Sequence, residues 1–371
     1  MSRVHLGDVA IEHKETCKED KSMYPIVGLE HLTPEQITLQ NWDLNTENTF
    51  TKVFRKGNIL FGRRRAYLKK AAVAPFDGIC SGDITVIEAK EDKIIPELLP
   101  FVIQNDDLFD FAVGKSAGSL SPRVKWTHLQ NYEFELPDKP KQHELAKVLW
   151  AIENTRKSYQ ELIKRTDELV KSQFIELFGD PIANDKGWET KPLKSVAPEC
   201  RPSIPKQERY WWLNLDMIES YSGYVVAKVY ESIENIGNST STFDDTMVLY
   251  SKLRPYLNKV IVPDDFGYAT TELVGLKPDE RVLNKYFLFN LLRGDQFVSY
   301  ANGLSAGGQM PRMPMKEMRN FQCILPPLEL QERFVEFYKQ SDKSKFGKEM
   351  CDKWILEIQN SWYQMYRILH Q

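Results

Sequence analysis

The chain has 371 residues, 42% hydrophobic and 27% charged, with a formal net charge of −3. Those values exclude a disordered or collagen-like chain and a uniformly basic nucleic-acid coat, and at roughly 150 residues per domain they predict two to three units. No run of about 18 apolar residues is present, so no membrane-spanning helix is expected.

The opening residues, Met-Ser-Arg-Val-His-Leu-Gly-Asp, have neither the charged start nor the apolar stretch of a signal peptide, and a cytoplasmic location is expected by default. Cys17, Cys80, Cys200, Cys323 and Cys351 are scattered, and with the six histidines they form no cluster of metal-ligand spacing. They are expected as reduced thiols, with no metal site.

In chain order, 53–61 and 83–89 have the β-branched and aromatic content of strands. Between Asn48 and Phe76 there is no acidic residue, yet Lys52, Arg55, Lys56, Arg63, Arg64, Arg65, Lys69 and Lys70 all fall there. Such a local basic stripe matters more to a phosphate partner than the total charge does. Residues 95–111 read as an amphipathic helix delivering the chain to a small-residue loop at 114–118.

A long helix is predicted from Asp138, a capping residue, with Pro140 in the opening turn where its missing N–H costs nothing. Leu145, Val148, Ile152, Tyr159, Leu162 and Leu169 recur at heptad spacing, Ile163 and Val170 widen the stripe, and Phe178-Gly179-Asp180-Pro181 ends it. About 40 residues at 1.5 Å each make a rod of roughly 60 Å.

Beyond it the elements return. Strands are predicted at 247–250, 259–263 and 272–276, and a helix at 284–300 runs into a small-residue loop at 301–308. A second long helix from 326 carries Leu330, Phe334, Phe337, Cys351, Ile355, Ile358, Trp362, Met365 and Leu369. The return has a fixed offset of 189: seven of 25 positions are identical between 60–84 and 249–273. At the same offset Ser116-Ala117-Gly118 meets Ser305-Ala306-Gly307, Pro122-Arg123 meets Pro311-Arg312, and Gln142 meets Gln331. The chain is therefore two copies of one unit. The expected architecture is α+β: repeated globular domains at 1–137 and 183–325, and long helices at 138–182 and 326–371 pairing as an antiparallel coiled coil about an internal pseudo-two-fold.

Enzyme signals are weak. Asp77 with Glu88 and Lys90 imitates a nuclease metal site, but the second copy has Phe266, Lys277 and Asp279 there. Pro326-Pro327 lacks the flanking residues of a methyltransferase loop, and no phosphate-cradling glycine turn occurs. The repeated blocks instead interleave cations with an aromatic, as DNA contact requires. The candidate contacts are Arg63, Arg64, Arg65, Lys69, Lys70, Ser116 and Arg123 in copy one, and Lys252, Arg254, Asn258, Lys259, Ser305, Gln309 and Arg312 in copy two. Tyr67 and Tyr256 are expected to pack in the core, and base readers to lie in the divergent stretches 17–58 and 200–247.

The block Lys252-Leu-Arg-Pro-Tyr-Leu-Asn-Lys259, its sister Ile59-Leu-Phe-Gly-Arg-Arg-Arg-Ala-Tyr-Leu-Lys-Lys70, the paired small-residue loops ending in Pro-Arg, and Leu325-Pro-Pro-Leu-Glu-Leu-Gln331 resemble a type I restriction–modification specificity subunit. The resemblance covers essentially the whole chain. It implies two target-recognition domains reading the halves of a split, asymmetric double-stranded DNA site, joined by helices that fix the spacer. It implies as partners two methyltransferase (modification) subunits and restriction (translocase/nuclease) subunits, with no membrane. S-adenosylmethionine, ATP and Mg²⁺ would serve those subunits, leaving this chain non-catalytic and without a cofactor. A specificity subunit of a related bifunctional type II restriction–methylation system is the alternative. An autonomous enzyme and a pure protein scaffold are the competing classes.

Overall fold

A computed structural model describes residues 2–341, apart from 19, 20, 35, 45, 46, 119, 120, 238 and 307. It divides into two units, Met1–Lys157 and Ser158–Gln371. The division falls inside the helix Lys139–Phe178.

In the first unit, an antiparallel sheet places Ile84–Ala89 and Ile59–Gly62 at its centre, flanked by Ala10–Glu12 and Ala71–Val73. A three-stranded sheet sets Gly78–Cys80 between Ile26–Val27 and Lys52–Phe54, the first pair parallel. In the second unit, Val248–Ser251 pairs with Leu273–Leu276 and Val260–Ile261, and Gly267–Thr270 lies between Tyr210–Leu213 and Thr240–Phe243.

The register obeys the repeat. Leu60 faces Val86 and Ala72 in one unit, and Leu249 faces Gly275 and Ile261 in the other, all at the offset of 189. Phe54 opposite Gly78 matches Phe243 opposite Gly267. A methyl on Gly78 would stand 2.5 Å from the Phe54 ring, and one on Gly267 3.0 Å from the Phe243 ring and 2.2 Å from the Trp211 carbonyl. The glycine that the two copies share is thus required by a neighbouring backbone carbonyl as well as by the ring, the Pro25 carbonyl standing 2.6 Å from such a methyl on Gly78.

Both long helices enter by one device. Gln142 and Gln331 are buried at helix starts. Each accepts a hydrogen bond from a backbone N–H (Ile95, 2.8 Å; Asn284, 2.9 Å) and donates to a proline carbonyl (Pro137 and Pro326, both 2.8 Å). Asp138 accepts from the Lys141 N–H at 3.1 Å, the expected cap, and Gly179 at φ +74° ends the first helix. The second long helix occupies 328–341, where the described residues stop. Its remaining predicted seam, from Cys351 to Leu369, lies outside them. Val170, Phe174 and Phe178 enter the second unit's core, where Phe334 meets the Phe174 ring at 5.3 Å and the Phe178 ring at 5.6 Å. Of the expected seam, Tyr159 is 39%, Leu162 51% and Leu169 53% exposed, and the stretch predicted to pair with it lies mostly outside the described residues. Phe334→Ala is expected to cost about 3–5 kcal/mol, since Phe334 is fully buried. Calorimetry should show one transition falling while the first unit's holds.

Three predicted elements are divided. The strand expected at 53–61 is two, Lys52–Phe54 and Ile59–Gly62, because the buried Asn58 side chain takes the Arg55 N–H at 2.8 Å and closes a turn with Gly57 at φ +89°. The helix expected at 95–111 is Leu99–Ile103 and Asp106–Gly114, restarted by the Asn105 cap. The helix expected at 284–300 is Lys285–Arg293 and Asp295–Leu304, parted at Gly294.

Candidate nucleic-acid interface

In each unit a strand runs into a single turn of 3-10 helix and back, Ala66–Leu68 in the first and Pro255–Leu257 in the second. Left-handed residues bracket the turn: Arg65 (φ 55°) and Lys69 (φ 50°), then Arg254 (φ 49°) and Asn258 (φ 48°). Four non-glycine residues in that region, at matched positions, mark a backbone held by its surroundings. The turn lifts its aromatic out of the sheet. Tyr67 is 55% and Tyr256 40% exposed, which corrects the expectation that they pack in the core. Strand alternation does not apply where the chain has left the strand.

The small-residue loop docks on this turn. The Arg65 N–H donates to the Pro122 carbonyl at 2.9 Å and the Arg254 N–H to that of Pro311 at 2.7 Å. Val124 donates to the Arg63 carbonyl and Met313 to that of Lys252, each at 2.9 Å. The loop closes on itself through Ala117 with Arg123 and Ala306 with Arg312. Two stretches separated by about fifty residues thereby form one corner in each unit.

An acid that the sequence reading missed locks the corner. Arg123 Nε donates to Asp83 Oδ1 at 2.7 Å, and Arg312 Nη2 pairs with Glu272 Oε1 at 3.1 Å. Asp83 and Glu272 are again 189 apart, which was the available signal. The Arg123 bond holds the Asp83 carboxyl below the usual carboxylate range, and Asp83 in turn raises Arg123.

The other candidates divide by what they touch. Arg64 donates to Ser121 Oγ and reaches Asp83 at 3.5 Å; Lys69 pairs with Asp106 at 2.6 Å. Ser116 and Ser305 donate to Ala112 and Ala301 carbonyls at 2.8 and 2.7 Å, closing their own helix ends. Asn258 is buried, and its amide donates to the Arg293 carbonyl at 2.8 Å. Lys70 and Lys259 turn into the unit, donating to the Leu29 carbonyl at 2.7 Å and the Leu215 carbonyl at 2.6 Å, and burial lowers the Lys259 pKa. Arg65 is exposed and Lys252 half-buried, and among the described residues neither makes an ion pair. Arg63 and Arg254 each keep a buried Nε without a hydrogen-bond partner among the described residues, and Arg254 Nη2 stands 3.5 Å from the Gln309 carbonyl. Gln309 is exposed.

The imitation nuclease residues are engaged separately. Asp77 takes Arg55 at 2.9 Å, Glu88 takes His13 at 2.7 Å, and Lys90 donates to the Gly7 carbonyl at 2.6 Å. Among the described residues no helix is long and apolar enough to cross a membrane.

A family profile described as type I restriction modification DNA specificity domain matches residues 3–165 and again 185–349. A stretch of 129 residues is 28% identical to the type I restriction enzyme EcoDI specificity subunit of Escherichia coli, covering 34% of this chain and 28% of that one. The crystal structure of a type I restriction–modification S subunit from M. genitalium is similar in fold, with a TM-score of 0.57 at 11% identity over 96% of this chain and 94% of the other. The crystal structure of an HsdS subunit from Thermoanaerobacter tengcongensis aligns over 98% of this chain and 94% of its own, at 20% identity and a TM-score of 0.37.

Proposed function

Because the chain belongs to the type I restriction modification DNA specificity family, we propose that each repeated unit reads one half of a split, asymmetric double-stranded DNA site. The long helices then fix the spacer and dock two methyltransferase subunits, with restriction subunits joining the complex. Catalysis, with S-adenosylmethionine, ATP and Mg²⁺, belongs to those subunits; this chain supplies recognition.

The observation that carries this reading is the duplicated corner. Residues that are the same in both units cannot distinguish two different half-sites. Exposed Tyr67 and Tyr256, with Arg65 and Arg254 beside them, therefore suit what all DNA shares, the sugar-phosphate backbone. Base readers belong in the segments that differ, 17–58 and 200–247, which support exposed Trp42, Tyr221 and Tyr230.

Lys252→Ala with Arg254→Ala is expected to weaken binding to every DNA sequence alike and to flatten the salt dependence by about one to two units in log–log slope. Fluorescence anisotropy across a salt series, on the chain assembled with its methyltransferase subunits, measures it. An unchanged slope removes this corner from the interface.

A further inference from the structure

The divergent segments are fastened to the repeated frame in the same way in both units. In the first, Lys70 Nζ donates to the Leu29 carbonyl at 2.7 Å, and Gln104 Nε2 to that of Gln36 at 3.0 Å. In the second, Lys259 Nζ donates to the Leu215 carbonyl at 2.6 Å, and Arg293 Nη2 to that of Tyr221 at 2.6 Å. Lys70 and Lys259 are 189 apart, and so are Gln104 and Arg293. Their acceptors are not: Leu29 to Leu215 is 186 and Gln36 to Tyr221 is 185. The segments have drifted in length and in sequence, yet each brings a carbonyl oxygen to the same two posts.

A carbonyl is the one acceptor that any residue supplies. The posts therefore hold the segment without reading its side chains, while Leu32 and Leu39, or Leu213 and Ile218, fill the core beneath. The donors are well fixed. Arg293 is 3% exposed, lies over the Phe289 ring at 5.0 Å and pairs with Asp167 at 2.9 Å. Gln104 also donates to the Ala71 carbonyl in the frame. Tyr221, held at its carbonyl by Arg293, also donates its N–H to the Leu257 carbonyl at 3.0 Å and is 59% exposed at φ +69°. A bulky residue in that conformation is kept there by its surroundings.

We propose that Lys70 with Gln104, and Lys259 with Arg293, are positioning residues for DNA reading, clamping each divergent segment by its backbone so that the segment is an exchangeable cassette smaller than the domain. This rests on the recognition role proposed above. The clamp aims the readers and touches no DNA itself.

The test uses the full chain with its methyltransferase subunits and the variants Lys259→Met, Arg293→Leu and Arg293→Gln, the last installing the residue of the first copy. Lys259→Met and Arg293→Leu are expected to weaken binding to the methylated sequence by about tenfold, the scale of one charge-assisted hydrogen bond. Binding to unrelated DNA, and its salt slope, should stay as in the wild type. Hydrogen exchange should quicken over 214–224 in both variants, in Lys259→Met with no change elsewhere in the unit, and Arg293→Gln should restore most of the loss. Equal weakening on all DNA with a flatter slope would make Lys259 a phosphate contact and overturn the clamp. Unchanged exchange over 214–224 in Lys259→Met and Arg293→Leu would overturn it also, and that readout stands even if the wild-type complex selects no sequence, the outcome that would sink the recognition role instead.

Discussion

Replacing residues 183–325 with the matching domain of another specificity subunit is expected to rewrite one half of the methylated sequence and leave the other half and the spacer intact. The second unit closes its own core, and its grip on the long helices includes a compact aromatic contact: Phe287 lies 5.2 Å from Phe174 and 4.8 Å from Phe178. An incoming domain that keeps an aromatic at that position keeps the seat. Each mismatched pair costs about 1–3 kcal/mol, so the old half-site should lose a factor on the order of a thousand or more once several positions change. Methylome sequencing of cells carrying the chimera reads both halves at once. A change in both halves would refute independent reading.

Four residues inserted after Arg165 are expected to lengthen the non-specific spacer by one or two base pairs with both half-sequences kept. The insertion adds roughly 6 Å and a little over one helical turn, against about 3.4 Å per base pair. Upstream, the helix is tied into the first unit by buried Ala146 and by Trp150 Nε1 donating to the Glu97 carbonyl at 2.9 Å. Downstream, Val170 and Phe174 begin its burial in the second. Arg165 itself is exposed and, among the described residues, bonds only locally to Glu161 at 2.8 Å. Four residues make a stutter in a heptad seam, which unwinds locally without losing its apolar face. A spacer that stays constant while methylation survives would mean that the helix does not set the distance.

Much of the architecture was legible because the sequence repeats. A constant offset over matched residues is carried into matched strands, turns, registers and helix starts, and Gln142 with Gln331 shows why a buried polar residue recurs: both close a helix entry. Helix limits were legible where a chemical signal marks them, as at Asp138 and Gly179. The site was legible as composition and not as geometry. Nothing in the spacing says that Arg65 and Arg254 adopt left-handed backbone, and that conformation is what exposes Tyr67 and Tyr256. Nor does a cation's identity tell where its long stem leads. Arg65 stays in solvent, whereas Lys70 and Lys259, a few residues on, reach back to carbonyls of segments that the repeat does not align. Asp83 and Glu272 keep the repeat's spacing, but a carboxylate shows its role only once the fold sets it against Arg123 or Arg312.

Two like frames carrying unlike segments should read two unlike sequences, and mapping methylated bases tests that most directly. The genome to map is that of cells expressing this chain with the methyltransferase subunits proposed for it, against cells lacking only this chain. The expected motif is two short, different sequences separated by a fixed number of unspecified bases, lost entirely when the chain is absent. A single uninterrupted motif, two identical halves, or methylation that persists without the chain would contradict the account.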